Sequence, residues 1–149
     1  LALLVRIQDN FKAMIVVHWV MLFGCALIGG STYLAQLGWL SGEAWMITVG
    51  LGAYLAYVPY GSMLFDRLIA AIGFVGTAGF MIYVTDAFGY LGSIGINLYK
   101  NFGGGDLSWL SFFRQLSYFT ALFCGACFVG SLLYFSRRAR ASPALNVET

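Results

Sequence analysis

Asp86 is the residue of this chain best placed to do chemistry. It stands near the middle of an apolar stretch, residues 71–98, that is long enough to cross a bilayer. At 100° per residue, Gly79, Tyr83, Asp86, Tyr90, Ser93 and Asn97 project within about 40° of one line on a helix. A carboxylate at that depth costs about 3 kcal/mol or more in lipid, so this face turns towards protein or a water-filled cavity. Two readings are open. Asp86 is helix glue, hydrogen-bonded to Tyr83, Tyr90 or other neighbours. Alternatively it is a proton- or ion-coupling site, or a polar contact to a solute, with Tyr83, Tyr90 and Asn97 beside it.

Three other groups carry chemistry. Arg114 lies in the polar outer half of the last span, with Ser111, Gln115, Ser117, Tyr118 and Thr120. It either snorkels outward or pairs with Asp86, which lies deeper by about 10 Å at 1.5 Å per residue. His18, about two turns into the first span, is either a hydrogen-bonded packing residue or a proton relay. Cys124 and Cys127 have the spacing of membrane thiol oxidoreductases that pass electrons to quinone. Both lie within a span, however, neither outer loop carries a cysteine to relay electrons, and Cys25 is alone in its span. The cysteines read better as small packing residues. No Cys/His metal cluster, nucleophile–base constellation or paired glycosidase-like carboxylates occur. The expectation is a protein that is not an enzyme and needs neither cofactor nor metal.

The elements that position these groups are membrane helices. The chain is 60% apolar and only 9% charged, where soluble domains carry about 25% charged residues. Four spans are expected, at about residues 13–36, 44–65, 71–98 and 109–135, each sufficient for a hydrocarbon core that needs about 20 residues. The fold class is therefore all-α, a four-helix polytopic membrane protein. Residues 1–12 would be the end of a preceding helix or loop, and residues 136–149 a basic tail, disordered after Arg140. The apolar run 1–5 followed by Arg6 reads as the end of an earlier helix, which makes the chain a C-terminal piece of a larger protein. Ser41 suits the N-cap of the second span, with Glu43 at the positive end of the helix dipole. Trp39 and Trp45 suit an interfacial aromatic belt. Gly50, Tyr54, Tyr57 and Gly61 share one face of that span, either a packing seam or a wall facing solute. Pro59 should loosen it. Residues 65–68 should form an inner hairpin, with Asp66 capping the third span. The repeated glycines of span three predict close packing on several sides. Residues 100–106 should be a flexible outer hinge, followed by Ser108 as the cap of span four.

Charge sets the orientation. Arg6, Lys12, Arg67, Arg137, Arg138 and Arg140 fall on one side, and only Lys100 and Arg114 on the other. The positive-inside rule then makes both termini cytoplasmic in a plasma (inner) membrane. No basic cluster with interleaved aromatics offers a nucleic-acid surface.

Three blocks carry a resemblance: residues 60–70 (YGSMLFDRLIA), 82–93 (IYVTDAFGYLGS), and 97–102 (NLYKNF) with 107–110 (LSWL). Together they resemble the C-terminal part of a bacterial family of uncharacterised multi-pass proteins, a domain of unknown function similar to the major facilitator superfamily. The likeness covers nearly the whole chain. Gly61, Leu64, Asp66 and Arg67 also resemble the facilitator inner-loop signature, without its following Gly-Arg-Lys portion. The resemblance implies that these are the last four of about twelve spans, that Asp66 and Arg67 belong to an inner gate, and that the missing N-terminal helices are partners. The expected function is secondary transport of a small solute by alternating access. The competing expectation is a membrane scaffold or sensor, and behind it a thiol oxidoreductase using Cys124 and Cys127.

Overall fold

Asp9 begins the first helix. Its Oδ1 accepts hydrogen bonds from the backbone N–H groups of Phe11 (2.9 Å) and Lys12 (3.2 Å), occupying donors that the first helical turn leaves unpaired. The computed structural model describes residues 9–73, 76–103 and 108–145, with side chains as far as residue 137. Among these the chain is all-helical, and four helical stretches are long and apolar enough to cross a membrane. Helix α1 is Asn10–Gln36, α2 Gly42–Pro59, α3 Phe65–Ile72, α4 Ala78–Leu98 and α5 Trp109–Leu145. The expectations for residues 1–8, for residues 104–106 of the hinge and for the end of the tail at residues 146–149 fall outside the described residues.

α1 ends where Gly38 takes a positive φ of 75° and the N–H of Trp39 reaches back to the Leu34 carbonyl at 3.1 Å. Ser41 then caps α2 as expected, its Oγ accepting from the Ala44 N–H at 3.3 Å. Ser108 caps α5 in the same way, through the Ser111 N–H at 3.2 Å.

The inner hairpin is not where the sequence pattern suggests. Residues 65–68 are helical. α2 passes into a π-helical turn, Tyr60–Leu64, directly after Pro59, and the backbone resumes as α3 as far as Ile72. Proline supplies no N–H to the carbonyl four residues before it, so the break in the α ladder belongs at this point. The reversal comes at Gly73, whose φ of 68° is left-handed. Thr77, not Asp66, caps the next helix, its Oγ1 accepting from the Phe80 N–H. At the far end, α5 runs through Arg140 to Leu145, beyond the expected start of a disordered tail.

α1 is the centre of the bundle. Its buried residues include Met14, Val17, Met21, Gly24, Ile28 and Ser31, an alternating three–four spacing, with His18, Cys25 and Thr32 repeating every seven beside them. Such a pattern buries a broad stripe against two neighbours. α2 covers one side and α5 the other. Two contacts fix the direction of α5: Tyr118 donates to Gln36 at 2.7 Å, and Ser131 meets His18 at 2.8 Å, so α5 runs antiparallel to α1. Trp45, expected in the interfacial belt, is instead buried. Its indole N–H donates to Thr32 Oγ1 at 3.0 Å, and its ring meets Phe113 edge-on. Trp39 remains exposed at the helix end.

α4 behaves differently, for none of its residues is buried by the rest of the chain. A Cβ placed on Gly79, Gly89, Gly92 or Gly95 would meet nothing within 4 Å, so the expected multi-sided packing of these glycines is absent among the described residues. α4 stands at the edge of the bundle.

Candidate functional site

Asp86 is the ninth residue of α4, about 12 Å along the helix from Ala78 at 1.5 Å per residue. The reversal at Gly73 brings α4 back alongside α2, and the Tyr57 hydroxyl donates to Asp86 Oδ1 at 3.0 Å. Tyr54 and Tyr57 are exposed on α2, so this part of the helix stays open to the meeting. Between the two helices lies a cleft of about 420 Å³ lined by Tyr57 and Tyr60 from α2 and its π-helical turn, and by Thr85, Asp86, Tyr90 and Ser93 from α4. Tyr60 is held by an edge-on contact with Phe65, ring centroids 4.8 Å apart. Among the described residues Asp86 forms no ion pair. A half-covered carboxylate with one neutral hydroxyl donor has room for a cation or a proton.

The expected site residues separate. Asp86 and Tyr90 share the cleft. Tyr83 does not line it and is 78% exposed, on a part of the stripe that α2 does not reach. Asn97 turns its amide back onto its own helix, donating to the Ser93 carbonyl at 3.0 Å. Arg114 is half-buried on α5 and makes no ion pair among the described residues, so the Asp86–Arg114 pair is not formed. The reason is placement: α5 packs on α1, while α4 packs on α3 and reaches α2 through the Tyr57–Asp86 bond. Helical spacing found Asp86 and Tyr90. It named Tyr57 on a face of α2 but gave no means of pairing it with a residue 29 positions away.

Asp66 and Arg67 also part company. Asp66 is exposed, whereas Arg67 Nη1 donates to Asn10 Oδ1 at 2.9 Å and ties α3 to the start of α1. Asn10 was not among the expected site residues.

His18 is fully buried. Its Nδ1 lies 2.7 Å from the Met14 carbonyl, which only accepts, so Nδ1 carries a proton. In the neutral ring Nε2 then accepts from the Ser131 hydroxyl at 2.8 Å. Both ring nitrogens are occupied, which fits a helix-joining role.

The three cysteines are free thiols, and the pair at Cys124 and Cys127 is split. Cys124 joins Cys25 in lining a second cavity of about 360 Å³ between α1, α2 and α5, while Cys127 is exposed. The remaining lining of that cavity is largely apolar, with Ile28, Ala53, Ala56 and Phe128, and it includes Tyr57 and Tyr60. The two tyrosines therefore stand in the walls of both spaces. Among the described residues no cluster of three or more His, Cys, Asp or Glu side chains is arranged to hold a metal.

Comparison with known proteins gives a family without an activity. No curated protein and no solved structure matches the chain. Residues 1–138 match the family of unknown function DUF5690, and the chain belongs to that family.

Proposed function

We propose that the chain forms part of a facilitator-like bacterial secondary transporter that moves a small solute across the inner membrane by alternating access. The observation that carries this reading is Asp86: a carboxylate midway along a membrane-length helix, in a polar cleft, without an ion-pair partner among the described residues. An acidic group at that depth is costly unless it faces protein or water, and such residues mark solute and proton pathways. Both termini are cytoplasmic in this proposal, from the split of basic residues. The Arg67–Asn10 contact then lies on the inner side, where opening a path requires it to break. Further helices of the same protein cover the uncovered face of α4, and the lipid bilayer covers the remainder. The role is not enzymatic and uses no cofactor.

The test is charge movement by the protein produced from its full reading frame, reconstituted on a solid-supported membrane and exposed to panels of amines, carboxylates, sugars and amino acids. A solute-evoked current is expected, lost in Asp86→Asn at unchanged expression and thermal midpoint. A wild-type current in that variant overturns the role of Asp86.

The Tyr57–Asp86 hydrogen bond also favours a second reading, a scaffold in which this contact clips α4 to α2. In that case Asp86→Asn lowers the melting temperature markedly and no solute shifts it.

A further inference from the structure

We infer that the solute is an amphipathic organic cation: an ammonium or similarly delocalised positive group attached to an apolar body. The inference rests on the transporter reading and deepens it. Three features of the α2–α4 cleft and its neighbour point to this ligand class.

The first is charge. Among the described residues that line the cleft, Asp86 is the only carboxylate and none is Lys or Arg. An anionic solute would meet repulsion there. A single carboxylate also falls well short of the six to eight oxygen ligands that Ca²⁺ takes. One carboxylate suits one organic positive charge.

The second is the aromatic wall. Tyr57, Tyr60 and Tyr90 line the same cleft as the carboxylate, and the Tyr57 hydroxyl touches it. Tyrosine rings attract cations through their quadrupole, most strongly where water is excluded, and the effect favours large, weakly hydrated cations over compact hydrated ones.

The third is the space behind the tyrosines. Tyr57 and Tyr60 also wall the cavity of about 360 Å³ that Ile28, Ala53, Ala56 and Phe128 render apolar. A hydrophilic cation would use only the Asp86 cleft and leave this space unfilled. A molecule with a positive head and an apolar body matches both once the Tyr57 and Tyr60 side chains that divide them turn aside: the head at Asp86, the body against Ala53. Burying that body removes apolar surface from water and adds affinity that charge alone does not supply.

The experiment measures binding of radiolabelled tetraphenylphosphonium to the protein from its full reading frame in lipid nanodiscs, with tetraphenylborate as an anion of the same shape. Saturable tetraphenylphosphonium binding is expected, weakened at least tenfold by Asp86→Asn and retained by Asp86→Glu, with no saturable tetraphenylborate binding. Ala53→Phe, which fills the apolar cavity, is expected to weaken tetraphenylphosphonium at least tenfold. Competition by tetramethylammonium, which needs only the Asp86 cleft, should stay within twofold in that variant and thereby report an intact fold. The inference is overturned by absent binding, by equal binding of the anion, or by full affinity in Asp86→Asn. It is also overturned if the cleft is filled by a helix of the same protein, seen as an Asp86 carboxylate that carbodiimide does not modify with or without an added cation. Asp86-dependent flux of a neutral or anionic solute, without tetraphenylphosphonium binding, removes the cation and leaves the transporter. Asp86-dependent binding without flux of any solute supports the cation and removes the transporter.

Discussion

Gly24 of α1 and Gly52 of α2 touch backbone to backbone: a Cβ built on Gly24 would stand 2.6 Å from the Gly52 carbonyl oxygen, and one on Gly52 2.7 Å from that of Gly24. Membrane helices gain little from the hydrophobic effect between themselves, so close van der Waals approach at small residues is a main source of their association. Here it fixes where α2 crosses α1, and with that the outward aim of Tyr57. Gly24→Ala and Gly52→Ala are each expected to destabilise the protein by about 1–3 kcal/mol, the usual cost of overpacking. Gly50→Ala, with nothing within 4 Å of its added Cβ, should change stability by less than about 1 kcal/mol and in the favourable direction. Reversible unfolding in mixed micelles measures all three, and a neutral Gly24→Ala would remove this crossing as a determinant of the fold.

His18 and Ser131 join α1 to α5 across 113 residues. A double-mutant cycle of His18→Gln and Ser131→Ala should show coupling of about 0.6–2 kcal/mol, the range for interhelical hydrogen bonds in membranes. Nitrogen NMR of labelled histidine should show a neutral ring protonated at Nδ1. Zero coupling, or protonation at Nε2 alone, contradicts the arrangement.

Tyr57→Phe deletes the donor to Asp86 while keeping the ring in both cavity walls. The bond is exposed to solvent, so the expected loss of overall stability is small. The more telling readout is hydrogen exchange. With none of its residues buried by this chain, α4 should exchange faster in the variant while α1 keeps its protection. Uniform acceleration of all helices would mean that the bond supports the whole bundle instead.

Arg67 and Asn10 bind α3 to the start of α1 at the opposite end of the bundle from Gly38. Asn10→Ala should cost about 1 kcal/mol and make Arg67 reactive towards a guanidinium reagent such as phenylglyoxal. Asp66→Asn, at an exposed residue, should leave both stability and labelling unchanged. If Asp66→Asn alters them as much as Asn10→Ala does, Asp66 and Arg67 act together after all.

The four spans, the all-helical class and the exceptional position of Asp86 were legible in the sequence, because a bilayer obliges each segment to satisfy its own backbone and makes a buried carboxylate conspicuous. Capping at Ser41 and Ser108 was legible too, since a cap depends on residues three positions apart. The sequence did not place the reversal at Gly73. Uniformly apolar helices carry no periodic signal of where they end, and Asp66-Arg67 offered a polar decoy. Nor did it pair Tyr57 with Asp86, Arg67 with Asn10 or His18 with Ser131. Spacing along a helix says which side chains share a face, but not which face another helix will meet. That depends on relative depth and rotation, which packing at Gly24, Gly52 and the α1 stripe decides. Asp86 as a group that needs a partner was written in the chain. Its partner, and the two cavities that Tyr57 and Tyr60 divide, belong to the tertiary structure alone.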